Sequence, residues 1–310
     1  MSCHHPGVPS INASVDSPQG RFRLQAKGAY SFAASVRFLE GFAPAGQADS
    51  GGDEVQWTFL ADDLKTVASV VLRDRTGDVD GEVFAGDSKL VRAQVARVLS
   101  LDVDGRGFEQ VGERDPVVTR LQGLYPGLRP VLFFSPFEAA LWALISQRIR
   151  IRQAAAIRAR MAAELGATVT VRGTPASVVP APARLRELDS FPGLSAVKIR
   201  YLHALADAAE DGALDADRLR ARPPEQALEE LKRLPGIGDF SAHLILLRGA
   251  GGPDYPPASE PRMQHAVALA YGTGEPSSQQ LDVLSEKWKP YRTWVTFLLR
   301  VHLETDSLRA

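Results

Sequence analysis

The chain has one cysteine in 310 residues, Cys3. An intrachain disulfide is therefore excluded, and so is an iron–sulfur cluster held by the chain's own thiolates. Long hydrophobic runs are also absent: no apolar stretch approaches the roughly 20 residues a membrane-spanning helix needs. The start, Met1-Ser2-Cys3-His4-His5-Pro6, lacks the apolar core of a secretory signal. These absences lead to the expectation of a cytoplasmic protein with no membrane contact. No clustered metal ligands, nucleotide-binding glycine loop or Ser-His-Asp spacing stands out, and Cys3-His4-His5 without further ligands reads as tail rather than metal site. Net charge is nearly absent too, at −1, which gives no general drive toward a polyanion.

Charge is present locally. From Ile145 to Leu205 ten Arg or Lys face three acids, a local net of +7. A solvated helix face is the simple explanation, but the asymmetry favours a surface turned to a polyanion. With 45% hydrophobic residues the chain can bury one large core or two smaller ones, and two domains are expected. Residues 1–20 are polar and read as a flexible tail, and Gly41 to Asp53 as a flexible loop. Residues 21–114 read as a small α+β domain: stretches such as Val55-Gln56-Trp57-Thr58-Phe59 alternate like half-buried strands, and Lys89 to Leu99 forms a helix with Leu90, Val91, Val95, Val98 and Leu99 on one side. The boundary falls at Asp115-Pro116, so residues 115–310 form a helical domain.

Within that domain Ser135-Pro136-Phe137-Glu138 is a helix start, with a serine cap, proline in the first turn and glutamate three residues on. Ala140, Leu141, Leu144 and Ile145 carry its buried face. Arg148-Ile149-Arg150-Ile151-Arg152 then reads as a sharp bend. Further on, Leu228, Leu231 and Leu234 mark an amphipathic helix opened by Pro223-Pro224. Pro235-Gly236-Ile237-Gly238 breaks it, because proline removes a donor and glycine opens unusual backbone angles. Asp239 reads as the cap of a second helix containing Phe240, Ala242, Leu244, Ile245 and Leu247, stopped by Arg248-Gly249. The unit is helix, hairpin, helix. Its glycines and free amides suit a phosphate, although an isolated Pro-Gly-x-Gly is also an ordinary tight turn.

Leu234-Pro235-Gly236-Ile237-Gly238-Asp239-Phe240-Ser241-Ala242, with Leu247-Arg248-Gly249 and an acid at Glu260, resembles the helix-hairpin-helix DNA glycosylases. It is most similar to their 3-methyladenine DNA glycosylase II, or AlkA-like, branch. Ser135 through Gln147, Phe191-Pro192-Gly193-Leu194-Ser195 with Lys198 and Tyr201-Leu202, and Trp288-Lys289-Pro290-Tyr291-Arg292 extend the resemblance over roughly residues 115 to 303. More thinly, the N-terminal part resembles that branch's β-sheet domain. The implied fold is α+β, a small β-sheet domain followed by a mainly α-helical helix-hairpin-helix glycosylase domain.

The resemblance implies a monomeric enzyme of base excision repair whose partner is double-stranded DNA containing damaged bases. It would flip out an alkylated purine such as 3-methyladenine and hydrolyse the N-glycosidic bond. Glu260 falls where the family usually has aspartate, and its carboxylate would stabilise an oxocarbenium-like transition state and orient water; a plain helix cap before Pro261 is the alternative. Pro235, Gly236, Ile237, Gly238, Phe240 and Ser241 would bind DNA. So would Gln147 and Arg148, the latter at a position that usually holds an apolar wedge, by stacking its guanidinium or by contacting phosphate. Phe240, Trp294 and Arg300 would form the base pocket, Arg300 standing where a tryptophan is expected and repelling a cationic purine. Phe297 and Trp142 are further aromatic candidates, each also readable as core. No lysine follows the hairpin, so lyase chemistry is not expected. No cofactor is expected, and the resemblance allows a structural monovalent cation at the hairpin carbonyls. The competing readings are a lesion sensor that has lost the chemistry and a helical interaction protein with no DNA role.

Overall fold

The structure, a computed structural model, describes residues 13–41, 54–258 and 260–307. The Cys3-His4-His5 segment and residues 42–53 of the expected loop lie outside the described residues. The fold is α+β, with a sheet-based N-terminal part followed by helices. Among the described residues no helix is long and apolar enough to cross a membrane.

Strands β2 (Gly20–Leu24), β3 (Glu54–Leu60), β4 (Val67–Arg75) and β5 (Asp78–Ala85) form an antiparallel sheet in the order β2-β5-β4-β3. Helices α1 (Phe32–Gly41) and α2 (Ser88–Val98) enclose one core with it, built on Trp57, Phe59, Val70, Leu72, Val83 and Val95. Asp87 caps α2 by accepting from the Lys89 and Leu90 amides at 2.9 and 3.0 Å. Leu90, expected on the buried side, is instead 53% exposed.

Two features differ from the sequence reading. Strand β4 is buried on both faces, so it does not alternate as a half-buried strand does. Its outer side is covered by a second sheet in which β1 (Ala13–Val15) pairs in parallel with β6 (Thr168–Val171), and β6 pairs antiparallel with β7 (Thr174–Ser177). Val71 and Phe84 pack there against Val169 and Val171. Residues 13–15 of the expected flexible tail are therefore a strand, because a hairpin within the helical part offers them a hydrogen-bonding edge.

The helical part has two cores. The larger surrounds α5 (Pro136–Ser146), which is apolar nearly all round and buried from Pro136 to Ile145 rather than on one face. Around it lie α6 (Ile151–Leu165), α7 (Pro182–Arg186), α8 (Ala196–Glu210), α9 (Ala216–Ala221), α10 (Pro224–Lys232) and α11 (Asp239–Leu244), which runs into a π-helical turn (Ile245–Ala250). The second core joins α3 (Glu109–Arg114) and α4 (Pro116–Leu124) to α12 (Pro261–Tyr271), α13 (Ser278–Ser285) and α14 (Arg292–Ser307). Asp115 caps α4 through the Val117 amide at 3.0 Å and also accepts from Trp288 Nε1 at 3.2 Å and the Tyr271 hydroxyl at 2.5 Å. The Trp-x-Pro-x-Arg element is thus a clamp, its Arg292 bonded to Asp254 at 2.9 Å on the segment leading to α12.

Ser135 caps α5 as read, accepting from the Glu138 amide at 3.2 Å. Glu138 turns inward instead of reaching back to its cap and meets Arg158 of α6 at 3.0 Å, both nearly buried. Burial pushes the Glu138 carboxyl above its ordinary range, and the Arg158 charge opposes that rise. Removing one member leaves an uncompensated buried charge, whereas removing both does not. Arg158→Met is expected to lower stability by about 3–5 kcal/mol, and the Glu138→Leu/Arg158→Met double variant to regain most of it, as measured by denaturant unfolding.

Candidate nucleic-acid interface and catalytic carboxylate

The hairpin turns at Gly236, whose φ of 84° lies in the left-handed region. A Cβ there would come within 2.5 Å of the Tyr201 ring and 2.8 Å of Leu144, so glycine is required by both backbone and packing. Gly238 is different: its φ of −100° suits any residue, and a Cβ would meet nothing within 4 Å. Nothing inside the protein calls for glycine there, whereas close approach of another molecule would.

Gly238, not Asp239, is the cap of α11, since Asp239 already has helical geometry and pairs with Lys232 at 3.1 Å. The helix also outruns its expected stop, passing through the π-helical turn to a cap at Gly251, φ 72°. Gly249 lies inside that turn, where a Cβ would fall 2.7 Å from the Pro136 Cα; its role is close packing on α5. The neighbouring Arg248 is half-buried, donates to the Val131 carbonyl at 2.7 Å and lies 5.3 Å from the ring centres of Phe38 and Phe297. Burial pulls its guanidinium down to about 10.

Gln147 ends α5 and donates from Nε2 to the Gly236 carbonyl at 2.6 Å, tying the bend to the hairpin. Lys198 of α8 donates to the carbonyls of Ile145 and Gln147 at 2.6 and 2.9 Å, satisfying the end of α5. Its anchoring role was missed from sequence, where only a long side chain at a half-buried helix position hinted at it. The bend is confined to residues 147–150; Ile151 and Arg152 already belong to α6. Arg148 sits at φ 56°, a strained setting for a non-glycine residue.

Of the ten basic residues between Ile145 and Leu205, six have internal partners: Arg158, Arg160, Arg172, Arg184, Arg186 and Lys198. Arg148, Arg150, Arg152 and Arg200 are exposed, and their side chains make no hydrogen bond or ion pair among the described residues. Exposed apolar side chains lie on the same segments, Ile151 58% and Val197 41% exposed, and Phe240 of α11, after the hairpin, is 59% exposed. Cations with solvent-facing apolar groups are the surface chemistry of nucleic-acid contact.

Two residues expected at the site turn inward. Ile237 is 6% exposed, and its amide donates to the Leu234 carbonyl at 3.0 Å, so the turn itself engages its side chain and its donor. Trp294, expected in the base pocket, is a core residue with 2% exposure, its ring centre 5.1 Å from Phe108, 5.0 Å from Tyr291 and 5.0 Å from the Arg129 guanidinium. Phe297 and Trp142 are buried likewise. Pro235 is exposed and Ser241 buried in the first turn of α11. The Leu234 and Gly236 carbonyls accept internal hydrogen bonds, which leaves those of Pro235 and Ile237 without one among the described residues. Neutral carbonyls of this kind suit a weakly held monovalent cation.

Glu260 caps α12 with extended backbone angles, φ −126° and ψ 152°, yet its side chain accepts nothing from the helix amides. Its carboxylate instead joins the Arg300 guanidinium of α14, each side chain about a quarter exposed. The structure thus brings together Gln147 with Gly236, and Glu260 with Arg300. A larger cleft of about 750 Å³ lies beside α2 and α9 and includes none of the residues singled out from sequence.

No family model matches the chain. A Mycobacterium tuberculosis protein described as a "probable bifunctional transcriptional activator/DNA repair enzyme AlkA" is 30% identical over 223 residues, covering 70% of this chain and 44% of that protein. The DNA-3-methyladenine glycosylase of Bacillus subtilis is 22% identical over 229 residues, covering 70% of this chain and 76% of that protein. In structure, 3-methyladenine DNA-glycosylase from Archaeoglobus fulgidus superposes with a TM-score of 0.76 at 20% identity, over 93% of this chain and 99% of that one. An α+β fold whose helical part carries a glycine hairpin, with an acidic residue at the N-terminal boundary of the next long helix, defines the helix-hairpin-helix class. The chain belongs to the helix-hairpin-helix superfamily of DNA glycosylases, on its AlkA-like branch. It spans less than half the length of the mycobacterial relative.

The two hairpin glycines are expected to separate in denaturant melts. Gly236→Ala loses about 1–3 kcal/mol through its positive φ and the clash with Tyr201. Gly238→Ala stays within about 0.5 kcal/mol of wild type.

Proposed function

We propose that the chain is a monofunctional DNA glycosylase of base excision repair, which extrudes an alkylated purine from duplex DNA and hydrolyses its N-glycosidic bond. In this reading residues 115–310 carry the chemistry, residues 21–114 form the α+β domain beside it, and a single copy works in the cytoplasm. The observation that carries the reading is the half-buried Glu260 carboxylate, which its own helix leaves unbonded.

Breaking the bond between base and sugar builds positive charge on the sugar ring. A carboxylate at hydrogen-bond range stabilises that charge and orients the attacking water. The open backbone at Gly238 and the amides that begin α11 receive a phosphate. Arg148, Arg150, Arg152 and Arg200 meet further phosphates, and Gln147 and Arg148 flank the vacated stack. Phe240 supplies an exposed aromatic face beside the hairpin. Asp239, Phe240 and Ser241 stand where an amine nucleophile would follow the hairpin, which supports hydrolysis without lyase chemistry. Relatives described as 3-methyladenine glycosylases support the same class of lesion.

A second reading, a lesion sensor without chemistry, is favoured by one observation: Arg300 already neutralises Glu260. Base release from methylated duplex and from a duplex carrying 1,N6-ethenoadenine separates the two. Glu260→Gln is expected to lower release by about 10²–10³-fold while duplex affinity holds, and Gly238→Ala to weaken duplex affinity without changing the melt. Wild-type protein that binds tightly and releases neither base would select the sensor.

A further inference from the structure

We infer that Arg300 makes the base pocket selective against bases that carry a formal positive charge, so that the preferred alkylated purines are those that are neutral in DNA. The inference rests on the proposed role of Glu260 and narrows the substrate class.

Geometry supplies the first step. Glu260 and Arg300 are joined directly, from the cap of α12 and from α14. A nucleotide whose C1′ lies against the Glu260 carboxylate therefore has the guanidinium within about two hydrogen-bond lengths of that C1′ and of the base it carries. A group this close acts on the base itself, not only on its partner.

Charge supplies the second. Arg300 also acts on half-buried Arg248, which, after burial, feels the charges of Glu304 and then Arg300 most strongly. Glu304 in turn pairs with Arg262 of α12 at 3.0 Å. This coupled set holds Arg248, Arg262 and Arg300 against Glu260 and Glu304, an excess of one positive charge. At the start of α14, Arg292 and Lys289 balance Asp254 and Glu286, so that set is neutral and does not alter it. A cationic base meets repulsion here that a neutral base does not.

The reaction supplies the third. When the C1′–N9 bond breaks, its electron pair stays on the base. A purine alkylated at N3 or N7 is cationic beforehand and leaves neutral, so it needs no help. An uncharged alkylated purine leaves as an anion, and an arginine N–H donated to a ring nitrogen or exocyclic oxygen stabilises that developing charge. The water oxygen bonds to C1′ and gives its proton to Glu260, which passes it to solvent. The departed base takes a proton from solvent, and Arg300 keeps its own throughout.

The test compares single-turnover release of 7-methylguanine, cationic in DNA, and 1,N6-ethenoadenine, neutral, from one duplex sequence. Each rate is divided by its uncatalysed rate, for wild type, Arg300→Gln and Arg300→Lys, with melts and duplex affinities as controls for folding. Wild type is expected to accelerate the neutral base more. Arg300→Gln should shift that preference toward the cationic base by about 10- to 100-fold, as for one unit charge roughly 6–10 Å away at an effective dielectric of about 20. Arg300→Lys should keep the preference while slowing both. A wild type that favours 7-methylguanine overturns the inference without any variant. So does an Arg300→Gln protein that slows both bases in proportion, which would reduce Arg300 to a support for Glu260. A wild type that releases neither base overturns the glycosylase reading as well, and that failure shows in absent release, not in the ratio.

Discussion

One hydrogen bond fixes the working surface: Gln147 to the carbonyl of Gly236. It joins the end of a helix buried nearly throughout to the hairpin turn, so bend and hairpin are held together. Lys198 holds the same helix end from the other side through two carbonyls, while Tyr201, three residues along α8, closes against Gly236. Elements far apart in the chain thereby converge on a single loop junction, and the strained Arg148 is what that junction presents to solvent. Strain of this kind persists only where its surroundings over-determine it, as three fixed neighbours do here.

Charge on this protein is informative only after internal partners are subtracted. The basic run after Ile145 has the sequence look of a polyanion surface, yet more than half of it stabilises the fold: Arg158 in a buried pair, Arg172 bridging to Glu82 of the first sheet, Arg186 to Asp207. What remains free lies at the bend, in the first turn of α6 and on α8. A chain with almost no net charge can therefore still leave several cations unpaired on segments that adjoin one helix end.

Local chemistry was the legible part. Proline and glycine punctuation located the hairpin, a serine with proline behind it located α5, and a residue before proline located the start of α12, because each acts within a few residues. Features made by distant pairing were not legible. The β6–β7 hairpin had a signal in alternating Val169 and Val171 before the Arg172-Gly173 turn, both residues of which have positive φ, but nothing local says that β1 pairs beside it. Nor does anything local say that Glu260 and Arg300 meet, since one caps a helix and the other lies on the last helix of the chain. Trp294 shows the opposite error: an aromatic offered as a stand-in for the pocket tryptophan is drawn into the core by Phe108, Tyr291 and Arg129. Family spacing marks a position on a helix, and packing decides which way the ring turns.

Gly238 carries a consequence for how such a protein responds to engineering. As the cap of α11 it offers no side-chain acceptor to the amides that begin the helix, and serine, threonine, asparagine or aspartate would serve the isolated fold as well or better. A heat-resistance screen blind to ligand would therefore drift away from glycine there, and in doing so would fill the one gap in the hairpin that an outside backbone can occupy. The position marks a place where thermal hardiness and surface accessibility pull the same residue in opposite directions.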